Sequence, residues 1–421
     1  MFVYELDRPW LDTPFLFQGF LIESPDQIED LRTYCRFVYV DPARSTVSLG
    51  MPPEEAAPPN RPPGAARGKG PEPDTERSIM ELDGPGSGAT PTARLLAKLR
   101  IDYPDLASVE EELPPAIRTH DQAAAVAHAM FEGVTVKGTV DGKQLKQSIE
   151  QMTESVVRNP DALLLLSYLK KKSLYIYDHA VSVSIHLLAF GRHMGLPKPQ
   201  LHVLGMAGML LDVGMARLPQ AILGKQGRLS PEEYEQIKQH VQFCLEIVRN
   251  SSGITPQTAE IVGQHHEREN GSGYPMGLAG RQISLLGKMA AIVDCFVALI
   301  SERPYAHPTP PFEALQMLYN WRRDYYHEDL VEQFIQCLGP YPVGSLVELN
   351  SGEVAVVLAH NRVRRLKPRV MVVLDPDREP YGAPIMLDLL TAPKAFDGRP
   401  YEIQRSLPDG ECRVDVKDFY L

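Results

Sequence analysis

The chain has 421 residues, 43% hydrophobic and 23% charged, with a formal net charge of −11. That length supports two or three domains at roughly 100–200 residues each, and the composition supports a sizeable buried core. The acidic balance excludes general nucleic-acid binding, which needs a basic face to neutralise phosphates, but leaves room for a local basic pocket for one small anionic ligand. The five cysteines, at 35, 244, 295, 337 and 412, form no C-x-x-C pair. A cysteine zinc site or a disulfide framework is therefore not expected, and a reducing cytoplasm is. Apolar runs such as Ala162–Leu166 and Ala207–Leu211 fall far short of the roughly 20 residues that span a bilayer, and the start of the chain lacks the basic and apolar regions of a signal peptide. No membrane partner is expected.

In chain order, residues 1–50 read as a small α+β domain. Phe15–Ile22 is a predicted strand. Ser24 as N-cap and Pro25 at the first helical position open a helix through Arg36, and Phe37–Val40 is a second strand. Residues 51–92 are dense in proline and glycine, bury almost nothing and read as a disordered linker. Residues 93–338 read as helical. Pro114–Phe131, Gln144–Arg158 and Ile176–Met194 carry apolar residues at three- and four-residue spacing. Ser230 with Glu233 is a capping box for a helix through Val248; Thr255 and Pro256 open another through Glu267; Ile283–Ser301 and Pro311–Trp321 continue the series. Strands and helices do not alternate, so the predicted class is mainly α, a helix bundle. Residues 339–421 read as a small β-rich module, with strands at Ser345–Leu349, Val354–Ala359 and Arg369–Leu374. The basic run Arg362–Arg369 within it is read as a solvated face.

Metal-capable side chains are sparse in the helical region: His179, Asp212, His240, His265, His266 and Asp294. Each sits in or at the end of a predicted helix, and helices can aim such groups at one point of a bundle core. A lone histidine is more often a packed residue, and His120, His128, His186, His193, His202, His307, His327 and His360 are read that way. The adjacent pair His265-His266 stands apart, because neighbouring imidazoles splay and usually do different jobs.

The segment His265-His266-Glu267-Arg268-Glu269-Asn270-Gly271-Ser272-Gly273-Tyr274-Pro275 matches HHE-x-x-x-G-x-GYP. With Asp178-His179, Pro219 through Tyr234, and Val293-Asp294 through Tyr305, it resembles the HD-GYP family over roughly residues 162–338. This is a branch of the HD phosphohydrolases that bacteria use to hydrolyse cyclic di-GMP. The resemblance implies an HD-type bundle, a cyclic di-GMP ligand and a bimetallic phosphodiesterase using iron or manganese. It implies Asp212 as the bridge between metals, His179 and Asp294 on one ion, and His240, His265 and His266 on the other. Asp212 and Glu267 are the implied catalytic residues. Gly273, Tyr274, Pro275 and Arg303 would bind substrate, and the exposed loop at Gly273-Tyr274-Pro275 would also suit contacts with other signalling proteins.

The motif that names the HD superfamily departs from its pattern. Where the family reads LLHDIGK, the chain reads Met209-Leu210-Leu211-Asp212-Val213-Gly214-Met215. Leu211 replaces a histidine ligand and Met215 a lysine. Asn270 stands where the family has aspartate, and Val297 and Ile300 replace an aspartate and a threonine. One metal position keeps four ligands; the other loses one and is expected to bind weakly or not at all. Three readings stay open: a phosphodiesterase with weakened hydrolysis, a nucleotide- or partner-binding regulatory module without turnover, and a hydrolase of another phosphorylated substrate.

Overall fold

The computed structural model describes residues 2–6, 20–22, 32, 38–41, 101–169, 175–303, 307–362, 364–408 and 411. The chain divides into two compact units, residues 1–95 and 96–421. In the first, β1 (Phe2–Leu6) lies between β2 (Phe20–Leu21) and β3 (Val38–Asp41) in an antiparallel sheet. Phe2 pairs with Leu21, Val3 pairs with Val40, and a bulge falls between Val3 and Glu5. The two predicted strands are β2 and β3; the central strand was not predicted. Apart from Arg32, the helix expected over 24–36 lies outside the described residues, as does the linker expected over 51–92.

The second unit is mainly helical. Helix α1 (Val109–Lys137) starts with a capping box, Ser108 Oγ accepting from Glu111 N and Glu111 Oε2 from Ser108 N. It begins five residues before the predicted start because Pro114 and Pro115 sit inside its second turn instead of opening it. Asp141 caps α2 (Gly142–Arg158). Helices α3 (Pro160–Leu169) and α5 (Lys198–Leu210) flank α4 (Tyr175–His193) in sequence, and neither was predicted. Helix α3 is buried almost throughout, as is the second half of α5 from residue 204 to 210, so these stretches show no polar face from which a helical period could be read.

The α4–α5 pairing sets up the site. Small residues allow close approach: a Cβ on Gly208 would lie 2.6 Å from Ser184 Cα, and Ser184 Oγ donates to Gly205 O at 2.8 Å. The short turn between the helices makes them antiparallel, so the end of α5 returns to the start of α4. Asp212 thereby meets His179.

A 3₁₀ turn (Val213–Arg217) and the short helix α6 (Gln220–Leu223) follow. The helix predicted over 230–248 is two helices, α7 (Pro231–Lys238) and α8 (His240–Arg249), broken at Gln239. The break turns His240 fully inward, at 0% exposure. Then come α9 (Pro256–Gln264), α10 (Leu285–Leu299), α11 (Pro311–Trp321) and α12 (Glu328–Leu338). Among the described residues no helix is long and apolar enough to cross a membrane.

The C-terminal sheet has five antiparallel strands in the order β7-β6-β5-β4-β8. The predicted strands are β4 (Leu346–Leu349), β5 (Val354–Ala359) and β6 (Arg369–Leu374). The edge strands β7 (Pro380–Asp388) and β8 (Ile403–Leu407) are largely exposed and lack a clean apolar alternation, which is why they were not predicted. Val347, Leu349, Val357, Val370 and Val372 form the core of the sheet.

The basic run in this module is not a solvated face. Arg362 reaches Asp105 at 2.9 Å and Asp161 at 3.0 Å, Arg365 donates to Cys337 O, and Arg369 forks onto Glu110. Burial alone would raise the carboxyl pKa of Asp161, but Arg362 and the His360 backbone N–H hold it below its usual range. These arginines fasten the sheet to the helices.

Candidate metal centre

Six side chains from five helical segments meet. His179 comes from the first turns of α4, Asp212 from just beyond α5, His240 from the start of α8, His265 and His266 from the end of α9, and Asp294 from α10. His179 Nε2 lies 3.0 Å from Asp294 Oδ1 and 3.5 Å from Asp212 Oδ2. Asp212 Oδ1 lies 3.4 Å from His240 Nε2, which is 3.4 Å from His265 Nε2. Two groups of potential ligand atoms result, each with all its atoms within 4.8 Å: Asp212, His240, His265 and His266, and His179, Asp212 and Asp294. Asp212 belongs to both. His266 is half-buried and the other five are buried.

Ring protonation can be read from the carbonyls. His240 Nδ1 is 2.7 Å from Ile237 O, and His265 Nδ1 is 2.7 Å from Val262 O. A carbonyl only accepts, so each Nδ1 carries the proton and each Nε2 presents a lone pair. Two lone pairs facing at 3.4 Å cannot hydrogen-bond each other; a cation between them resolves the contact.

The electrostatics agree. Burial holds His240 and His265 below the usual imidazole pKa, and holds His266 well below it, so these rings are neutral. His179 moves the other way: burial opposes its charge, but the Asp294 hydrogen bond and Asp212 raise its pKa. Burial would also raise Asp294, yet His179 and the neighbouring imidazoles bring it down. Asp212 is pushed up by burial and by the Asp294 charge. Three neutral imidazoles and two carboxylates fit a divalent first-row transition metal.

The loop after α9 covers one side. Tyr274 stacks on His266 with centroids 4.6 Å apart, and its N–H donates to His266 O. A Cβ on Gly273 would sit 2.5 Å from Glu267 Cα and from His266 O, so only glycine lets the loop close this tightly. Glu267 holds the loop from within: Oε1 accepts from Met276 N at 2.8 Å and Oε2 from Leu278 N at 2.9 Å. The carboxylate expected to take part in catalysis is thus occupied by main-chain amides. Glu267→Ala leaves those amides unpaired, at a cost of about 1–3 kcal/mol each. Hydrogen exchange of Met276 and Leu278 is expected to accelerate at least about tenfold, while exchange in α4 stays unchanged.

Arg303 is half-buried, and its charge acts to lower the His179 pKa, which puts it near that end of the cluster. Pro304 and Tyr305 lie outside the described residues. Two residues near the cluster were not anticipated. Tyr175 OH lies 3.4 Å from His179 Nδ1, and its spacing of four places it on the same helix face. Lys238 Nζ sits between the rings of Tyr234 and Tyr274, at 4.8 and 5.6 Å from their centroids, with Glu235 as its ion partner.

Over 374 residues the chain is 31% identical to the cyclic di-GMP phosphodiesterase PA4108 of Pseudomonas aeruginosa, covering 88% of this chain and 82% of that protein. The chain belongs to the HD-GYP family of cyclic di-GMP phosphodiesterases. An HD domain family model matches residues 164–330, and a domain of unknown function, DUF3391, matches residues 1–145. A cyclic di-GMP phosphodiesterase of Thermotoga maritima is 39% identical over 144 residues, 34% of this chain and 39% of that one. A 3'3'-cGAMP-specific phosphodiesterase of Vibrio cholerae is 34% identical over 147 residues, 34% of this chain and 33% of that one.

Leu211 and Met215, the two positions read in the sequence as departing from the motif, occupy different surroundings. Leu211 is 1% exposed, and its carbonyl accepts from the Cys244 thiol at 3.0 Å. Met215 is half-buried and lines, with Asp212, a cavity of about 750 Å³. A regular helix would have put them on one face; instead α5 ends at Leu210 and Met215 falls in the 3₁₀ turn.

Proposed function

We propose that the chain binds divalent metal, iron or manganese, at this cluster and acts on cyclic di-GMP, with hydrolysis slowed by Leu211 and Met215. The observation that carries this reading is the pair of neutral Nε2 atoms 3.4 Å apart beside a carboxylate shared by two ligand groups. Asp212, His240, His265 and His266 would hold one ion; His179, Asp212 and Asp294 would hold a second, short of one ligand. When bound, such ions polarise a phosphodiester and acidify a water. Asp212 would orient both positions, the Gly273-Tyr274-Pro275 loop would wall the cleft, and Arg303 would meet phosphate. The loop is also the surface proposed for contacts with other signalling proteins. The same reading divides the chain into an N-terminal domain (1–50), a linker (51–92), an HD-GYP domain (93–338) and a β-rich module (339–421).

A second reading, a regulatory module that binds without turnover, draws on Met215. An apolar side chain stands where a phosphate-facing cation is expected, and loss of such a donor costs on the order of 10² in rate. Equilibrium binding and hydrolysis of cyclic di-GMP by the metal-loaded full chain, run beside the Pseudomonas relative, separate the readings. Binding with turnover about 10² slower supports the proposal, and binding with none supports the regulatory module. Absence of binding at high micromolar nucleotide overturns both.

A further inference from the structure

The cavity beside Asp212 carries information that the metal cluster does not. Its walls come from α1, the first turn of α4, the turn holding Met215, α6 and Ile237. Its volume of about 750 Å³ lies in the range of small-ligand sites. Phe131, Tyr175 and Tyr177 supply aromatic surface, and Met215, Ile222 and Leu223 supply alkyl surface. Among the described residues no lysine, arginine or histidine lines it, and the ionisable groups that do, apart from the tyrosines, are the carboxylates of Asp212 and Glu132. Such a lining disfavours a phosphate. It suits a flat, neutral heterocycle whose edge offers N–H donors.

Glu132 is the informative residue. It is exposed, and its ion pair with His128, 3.6 Å away and also exposed, is one that solvent weakens. A carboxylate accepts two parallel hydrogen bonds from neighbouring donors on one base edge. Guanine presents N1–H and an exocyclic N2–H side by side. Adenine presents a bare N1 at the matching place, which a carboxylate repels.

We propose that the cavity seats one guanine base of a cyclic dinucleotide, with Glu132 selecting guanine over adenine. This rests on the proposed function, which places the phosphodiester at Asp212. Glu132 lies outside the HD domain match of residues 164–330 and inside the DUF3391 match of residues 1–145. Base selection would therefore be written by a helix the HD family model does not cover.

The test is equilibrium binding of cyclic di-GMP, 3'3'-cGAMP and cyclic di-AMP to the metal-loaded full chain. Wild type is expected to prefer cyclic di-GMP over cyclic di-AMP by at least about tenfold, the scale of one bidentate base contact. E132A should lower cyclic di-GMP affinity about tenfold and leave cyclic di-AMP unchanged. E132Q, which can donate to adenine N1, should shift the preference toward cyclic di-AMP. An unaltered preference in E132A overturns the proposal while leaving the proposed function standing. If no cyclic dinucleotide binds wild type, the proposed function falls; guanosine against adenosine, followed by saturation-transfer NMR, then decides the cavity. A guanosine preference lost in E132A supports it, and no preference overturns it.

Discussion

With enough metal supplied to load both positions, Asp212→Ala is expected to lower metal content at both at once, whereas His179→Ala and His265→Ala should each lower one. The asymmetry follows from geometry. Asp212 directs Oδ2 to His179 at 3.5 Å and Oδ1 to His240 at 3.4 Å, so one carboxylate serves both ligand groups. His179 belongs to one group and His265 to the other. Loss of a residue that only orients a ligand already costs roughly 10–100-fold in affinity, so loss of the shared ligand should cost more. The measurement is metal per chain by mass spectrometry after dialysis against a fixed metal concentration high enough to load both positions of the wild type. Equal losses in all three variants would mean that Asp212 is not shared. Far-ultraviolet circular dichroism guards against simple unfolding, and Asp212→Asn, which keeps the side-chain shape, provides the second variant.

Leu211→His with Met215→Lys is expected to work in the opposite direction. The first change would place an imidazole beside Asp212, for the ligand group proposed to be short of one. The second returns a cation to the wall of the cavity that Asp212 shares. Turnover of cyclic di-GMP should rise by on the order of 10², and metal content should rise from about one ion per chain toward about two. Leu211→His alone introduces a polar group at a site with 1% exposure. It should therefore destabilise the metal-free protein by about 1–3 kcal/mol and recover stability on metal addition. A double variant that folds but gains neither metal nor rate would show that Leu211 and Met215 do not occupy the positions their motif alignment gives them.

How much of this was legible in the sequence depends on how local each feature is. Pro311–Trp321 could be read directly, because proline opens it and an amphipathic period runs through it. Helix α3 and the second half of α5 could not, since a segment buried on all sides carries no period. The break at Gln239 has no proline or glycine to announce it, yet it decides where His240 points. The six metal-capable residues were legible from their types and the motif around them. Their distances were not, because these come from the Gly208 approach to Ser184 and from the return of α5 along α4. Glu267 shows the limit most clearly. Its position in the motif suggested chemistry, but its two oxygens hold the amides of Met276 and Leu278. The arginines of the 362–369 run look solvated in sequence because their partners, Asp105, Glu110 and Asp161, lie more than 190 residues away.

The central claim is that the cluster holds metal with leucine at position 211 and methionine at position 215. Metal analysis of wild-type protein, purified without chelator and without added metal, tests it most directly. The account predicts about one iron or manganese ion per chain, lost in Asp212→Ala. Protein that carries no such metal, and takes up none when reconstituted anaerobically with ferrous or manganous ion, would contradict it.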